Sequence, residues 1–296
     1  MRIPVAPAIS LVADAYGDPA DPPVVLLHGG GQTRHSWDNS ARSLGNAGWH
    51  ALTVDLRGHG ESDWAPDGDY SFERFAEDVR ALATSLPRKP ALVGASLGGM
   101  ASLLAVGESG DDIASGLVLV DIAPRVELAG VARIRQFMRQ GLGGFPDLET
   151  AADAIASYNP HRPRPKDLSG LKKNLRLKED GRWYWHWDPR FMALQEPDEP
   201  GLDGIPSRRM AQPERLEAAA RRLRLPTLLV RGGSSDLLSE EGAAAMLALV
   251  PHAKQVDVAG AGHMVAGDRN DRFNSAVVDF LEHDVRPNVD GPRPPK

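Results

Sequence analysis

Pro90-Ala91-Leu92-Val93-Gly94-Ala95-Ser96-Leu97-Gly98-Gly99-Met100 is the stretch on which the reading of this chain turns. A short apolar run leads into a cluster of small residues, and a second apolar segment follows. That order predicts a strand that reverses sharply into a helix starting near Leu97, with Ser96 at the apex. The spacing Gly94-x-Ser96-x-Gly98 is that of a nucleophile elbow. The requirement is steric: in so tight a turn the positions two before and two after the apex nearly touch, and only residues without bulk fit there. The apical serine is forced into strained backbone angles that lift its hydroxyl clear of the sheet edge. The next backbone N–H, that of Leu97, sits at a helix N-terminus and faces the place where an oxyanion would form.

Composition sets the bounds around this stretch. The chain has 296 residues, 42% hydrophobic and 25% charged, enough for a large core with room for an insertion. Its net charge of −6 argues against a nucleic-acid backbone as partner. Cysteine is absent, which excludes a disulfide framework, a cysteine-based metal site and a cysteine nucleophile. The first residues, interrupted by Pro4 and Pro7, contain no long apolar region of the signal-peptide kind. No apolar run approaches the length of a membrane span. The expectation is a soluble, cytoplasmic protein that binds neither nucleic acid nor membrane; with no H-E-x-x-H metal motif and no phosphate-cradling G-x-x-x-x-G-K loop in the chain, none of its motifs calls for a metal or other cofactor. Its oligomeric state is left open.

Outward from the elbow, apolar runs alternate with helical patterns. Residues 8–16 read as a strand, and a Gly/Asp/Pro turn follows. Val24–Leu27 is continuously apolar, as in a strand buried on both faces, and runs into His28-Gly29-Gly30-Gly31. A further strand near His50–Leu56 ends in Arg57-Gly58-His59-Gly60-Glu61-Ser62. Phe72, Phe75, Val79, Leu82 and Leu86 recur at helical spacing behind Ser71, a good cap. Leu117–Val120 is another buried strand and ends at Asp121. The pattern resumes with a helix over 213–224, a strand at Thr227–Val230, a helix near 240–250, a strand near 254–258 and a final helix carrying Phe273, Val277 and Phe280. Strands alternating with helices predict an α/β fold with a mostly parallel, doubly wound sheet. Every special loop follows the carboxyl end of a strand, the edge at which open α/β sheets bind ligands.

Between residues 125 and 215 the buried-strand runs stop. Helices are expected at 127–140, 148–158 and near 167–177, with a Pro-rich link at 159–165. Trp183, Trp185 and Trp187 stand at period two and share a face if that segment is extended. The division expected is a core of 1–124 with 216–285, a helical cap of 125–215 inserted at the ligand-binding edge, and a polar, Pro-rich tail from 286 to 296 without fixed structure.

A serine hydroxyl attacks only when a base takes its proton and a carboxylate orients that base. His263 lies in a Gly-rich loop after the last strand. Asp236 lies in a Gly/Ser loop after the strand before it. Asp121, also just past a strand, is an alternative acid. The order Ser96, Asp236, His263 is Ser…acid…His. With His28-Gly-Gly-Gly, Arg57-Gly-His-Gly-Glu-Ser, Gly94-Ala-Ser-Leu-Gly-Gly, Gly233-Ser-Ser-Asp236 and Gly262-His263 in place, the chain resembles the α/β-hydrolase fold superfamily, in its cap-bearing serine hydrolase branch, from about Ile9 to Glu282. The resemblance implies that Gly30 and Leu97 donate their N–H groups to an oxyanion, and that the divergent cap sets the substrate. His28 and His59 read as structural. His35, Trp37, Trp185, His186 and Met264 are the candidates to line a substrate pocket.

Within that superfamily the elbow residue discriminates. Dehalogenases and epoxide hydrolases of the fold carry Asp there, because a carboxylate displaces at carbon; serine suits acyl transfer. The reading is therefore hydrolysis of a small-molecule carboxylic ester or lactone through an acyl-enzyme on Ser96. The alternatives on the same triad are a carbon–carbon bond hydrolase or a cofactor-free perhydrolase-like enzyme. Outside catalysis, the alternative is a ligand receptor on this fold.

Overall fold

The computed structural model describes residues 1–110, 112–160, 164, 166–195, 212–268 and 270–289. One sheet of eight strands forms the centre, in the order β1-β2-β4-β3-β5-β6-β9-β10. β1 (Arg2–Ala6) and β2 (Ile9–Tyr16) make an antiparallel edge, and β2 also runs antiparallel to β4 (His50–Asp55). From β4 the sheet is parallel through β3 (Pro23–Leu27), β5 (Ala91–Ala95), β6 (Gly116–Val120), β9 (Thr227–Gly232) and β10 (Lys254–Val258). The expected fold class is the observed one.

The continuous apolar runs have the cause inferred for them. All residues of β3, β6 and β9 are buried, because helices cover both faces of the sheet. Successive residues divide between two cores. Val25 and Leu27 join a core beneath α2 (Phe72–Ser85), α3 (Leu97–Gly107), α6 (Pro213–Arg221) and α7 (Glu240–Leu249). Val24 and Leu26 join the other, beneath α1 (Asp38–Asn46) and α9 (Asn270–Phe280), which follows the single turn α8 (Val265–Asp268).

The segment between β6 and β9 holds α4 (Leu128–Arg139), α5 (Leu148–Tyr158) and a separate hairpin of β7 (Leu175–Leu177) and β8 (Trp183–Trp185). The helix expected near 167–177 is instead a 3₁₀ turn over Ser169–Lys173 followed by β7. There Leu175 is buried and Arg176 and Leu177 are exposed, and their partners are the alternating residues of β8. Residues 161–163, 165 and 196–211, part of the expected insertion, lie outside the described residues.

At the two ends of the chain the structure adds one strand for which no element was expected and changes the expectation for the tail. The Pro4-containing N-terminus pairs as edge strand β1, a place that tolerates proline. The tail begins with structure: Arg286 pairs with Glu282 at 2.8 Å and its guanidinium lies 4.5 Å from the Trp49 ring centroid. The remainder of the tail, 290–296, lies outside the described residues. Among the described residues, no helix is long and apolar enough to cross a membrane.

Candidate active site

Six loops meet at one edge of the sheet, because the parallel strands β4, β3, β5, β6, β9 and β10 all end there. The elbow comes first. Ser96 has φ 45° and ψ −110°, outside the regions open to an unstrained L-residue. A Cβ on Gly94 would stand 2.5 Å from the carbonyl carbon of Gly98, and one on Gly98 would stand 2.5 Å from the carbonyl oxygen of Leu27. The two glycines of the motif are thus where strand, helix and the neighbouring strand press together. The turn is held by Ser96 N–H to Val120 O at 3.3 Å and Gly98 N–H to His28 O at 3.1 Å.

The loop after β3 lies alongside. A Cβ on Gly29 would be 3.5 Å from Ser96 Cβ, and one on Gly30 would be 3.9 Å from Leu97 Cδ2. Among the described residues neither Gly30 N–H nor Leu97 N–H finds an acceptor. Two histidines shape this loop. His59 Nε2 accepts from Gly31 N–H at 3.1 Å and its Nδ1 donates to Arg57 O at 2.9 Å. His28 Nε2 accepts from Leu56 N–H at 3.0 Å and its Nδ1 donates to Gly29 O at 2.8 Å. An Nε2 that accepts an amide proton carries none itself, so both rings are neutral. Complete burial agrees, holding His28 at a pKa of about 4 and His59 at about 3. Both are structural, as expected.

The acid is where expectation and structure part. His263 Nδ1 donates to Asp121 Oδ2 at 2.8 Å, and the Asp121 side chain is fully buried. Asp236 is exposed and pairs with Arg133 of α4 at 2.6 Å. The carboxylate that meets His263 is therefore Asp121 and not the expected Asp236. The cause lies in strand adjacency: Asp121 immediately follows β6, and its N–H bonds Val230 O of β9 at 2.7 Å. Asp236 lies four residues beyond the end of β9, far enough along the loop to face the insert. Three donors offset the cost of burying the Asp121 carboxylate: His263, the Ser235 hydroxyl at 2.5 Å and Gly232 N–H at 2.8 Å.

The pocket candidates separate. Met264 accepts a hydrogen bond through Sδ from Gln32 Nε2 at 2.9 Å, and Gln32 Oε1 accepts from Gly29 N–H at 3.1 Å. Gln32, which sequence reasoning passed over, thus joins the His263 loop to the glycine loop. Trp37 is 2% exposed and packs on Phe273 with centroids 5.7 Å apart, a core residue and not a pocket wall. His35 points to Asp38 at 3.4 Å on α1. Trp185 and His186 line a cavity of about 760 Å³ between the β7–β8 hairpin and the Gly60–Trp64 loop. Ser96, Leu97, Gly30 and His263 are not among the residues that line that cavity. The insert residues that do reach the glycine loop are Phe191, whose ring would lie 3.3 Å from a Cβ on Gly30, and Met138, 3.0 Å from one on Gly31. Met138 stands at the helical spacing of Val131 and Ile134 in the helix expected over 127–140, which marked its face but not its contact; nothing in the sequence marked Phe191. Among the described residues, no group of three His, Cys, Asp or Glu side chains gathers as a metal centre would require.

A mostly parallel sheet flanked on both faces, an elbow serine at the carboxyl edge and a histidine bonded to a buried aspartate at that same edge define an α/β hydrolase. The comparison with known families agrees: this chain belongs to the α/β hydrolase fold family, whose profile matches residues 22–269. It is 32% identical over 257 residues to the esterase Rv0045c of Mycobacterium tuberculosis, covering 84% of this chain and 78% of that one. It is 29% identical to a 2-(acetamidomethylene)succinate hydrolase of Mesorhizobium japonicum over 78% of each chain. Among solved structures, E-2-(acetamidomethylene)succinate hydrolase superposes with a TM-score of 0.81 at 25% identity, over 95% of this chain and 98% of that one.

Proposed function

We propose that this chain is a serine hydrolase that cleaves a small-molecule carboxylic ester or lactone through an acyl-enzyme on Ser96. The observation that carries the reading is the 2.8 Å hydrogen bond from His263 to the buried carboxylate of Asp121, at the sheet edge where a serine is held at φ 45° and its N–H bonds the carbonyl of Val120, the residue before Asp121. Asp121 fixes the imidazole tautomer with the proton on Nδ1, which leaves Nε2 free to act as base. His263 takes the Ser96 proton as Oγ bonds to the substrate carbonyl carbon. The carbonyl electron pair moves onto oxygen, and the N–H groups of Gly30 and Leu97 receive that oxyanion. Collapse expels the alcohol oxygen, which takes the proton from His263. Water then attacks the acyl-enzyme by the same route, restoring Ser96 and releasing the acid. Each oxyanion donor is worth about 2.7–4 kcal/mol in the transition state.

The segment 125–215 acts as the cap, with Met138 and Phe191 as its contribution to the acyl wall. Their closeness to the glycine loop supports this role. A second reading, amide hydrolysis on the same residues, is favoured by the likeness to a hydrolase named for an acetamido compound.

The test is labelling with a fluorophosphonate, followed by kinetics on p-nitrophenyl esters of graded chain length. Label confined to Ser96, and loss of ester turnover in Ser96→Ala, are the expected results. Unchanged turnover in Ser96→Ala refutes the acyl-enzyme. Turnover of acetamido compounds far above any ester selects the second reading.

A further inference from the structure

The atom of Asp121 that meets the imidazole has a second partner. Oδ2 accepts from His263 Nδ1 at 2.8 Å and from the Ser235 hydroxyl at 2.5 Å. The direction of the Ser235 proton is dictated by its other neighbours. Its Oγ accepts from the backbone N–H groups of Leu237 at 3.1 Å and Leu238 at 3.2 Å. Those two bonds occupy both lone pairs of the hydroxyl, so only its own proton remains, and it points to the carboxylate. On the other oxygen, Oδ1 accepts from Gly232 N–H at 2.8 Å. One loop after β9 therefore grips both oxygens of an aspartate that belongs to β6. Ser235 N–H to Gly232 O at 3.0 Å closes that loop on itself. The nearby guanidinium of Arg231 feels the Asp121 charge, but it is engaged by Asp257 at 3.0 Å and Glu240 at 3.2 Å.

We propose that Ser235 is a positioning residue for the Asp121–His263 pair, setting the carboxylate plane and the share of negative charge left on the oxygen that faces the imidazole. The proposal rests on the serine hydrolase reading above. The hydroxyl is a fourth member of the relay, standing in the loop where the carboxylate was expected from sequence. Asp121 has φ 51°, so its backbone is strained and does not hold the side chain in place unaided. Two donors from a neighbouring loop supply the restraint. Deleting the hydroxyl frees the carboxylate to rotate and leaves more charge on Oδ2, which favours the imidazolium.

The experiment compares wild type, Ser235→Ala, Ser235→Thr and Ser96→Ala on p-nitrophenyl butyrate across about pH 5 to 9. Ser235→Ala is expected to lower kcat about tenfold, the worth of one charge-assisted hydrogen bond, with KM within about twofold. The acid limb of its kcat/KM profile is expected to move up by roughly half a pH unit or more. Ser235→Thr keeps the hydroxyl and returns both quantities toward wild type. The low-field proton resonance of the Nδ1–H group shifts in the alanine variant and not in the threonine one. A merely structural serine would change kcat without moving the limb or the resonance, and that result overturns the proposal. So does an alanine variant that retains wild-type kcat while Ser96→Ala is inactive. Wild-type turnover in Ser96→Ala removes the underlying reading, and this proposal with it. If Ser235→Ala shows no thermal transition, Ser235→Cys, similar in size and only a weak donor, carries the same expectations.

Discussion

Asp121 and Asp236 are chemically identical and each follows a buried strand, yet only one meets His263. The difference is covalent reach. Asp121 is the first residue past β6, and its carboxylate stays at the sheet edge between β5 and β9. Asp236 has a loop of its own and turns to Arg133. Asp121→Asn leaves the shape nearly unchanged but replaces the acceptor. On the proposed mechanism kcat falls about 10⁴-fold, as expected when a triad histidine loses its orienting carboxylate. Asp236→Asn breaks one exposed ion pair, worth at most about 1 kcal/mol, and leaves kcat within about threefold. Steady-state ester kinetics on the two variants distinguish them. The opposite ranking would return the acid to residue 236.

The loop Arg57–Ser62 is the element on which the glycine loop leans. Arg57 makes a buried two-pronged pair with Asp78 of α2, both bonds 2.6 Å. Its neighbour His59 supplies the acceptor for Gly31 N–H. On the insert side, Gly60 N–H bonds His186 O at 2.7 Å and Asp188 N–H bonds Gly58 O at 2.8 Å. One turn thus joins sheet, insert and glycine loop. Arg57→Ala strands a buried carboxylate and is expected to cost about 3–5 kcal/mol, read as a lowered denaturation midpoint. His59→Ala removes the Gly31 acceptor, and we expect kcat to drop about tenfold, the value of one lost buried hydrogen bond. A KM effect alone would show that the glycine loop keeps its shape without that bond.

For the whole molecule, the neutral buried histidines make stability depend on acid. In the unfolded chain a histidine takes up a proton near pH 6.5. In the folded chain His28 waits until about 4 and His59 until about 3. Between those limits the unfolded state binds more protons, so stability rises with pH and is lost as pH falls below about 6.5. Near pH 5 the two residues together bind nearly two more protons in the unfolded chain, a slope of about 2.5 kcal/mol per pH unit. Urea midpoints measured from pH 7 to 4.5 should fall steeply. A flat profile over that range would mean the two rings are not held neutral.

Much of this molecule is local and was therefore readable from the chain. Runs such as Val24–Leu27 and Leu117–Val120 announce strands covered on both faces, since nothing polar interrupts them. The elbow is legible because steric crowding between positions 94 and 98 admits only glycine, whatever the rest of the fold does. The order of strands and helices followed, and with it the edge at which Ser96 and His263 appear. What sequence could not decide was which of several similar side chains would meet. The choice of Asp121 over Asp236, the burial of Trp37 against Phe273 and the arrival of Ser235, Gln32 and Phe191 at the site depend on contacts between residues far apart in the chain. Such contacts exist only after strands choose their neighbours. Period and spacing describe a residue's own element; the partner across the gap is set by sheet order and by how far each loop can reach.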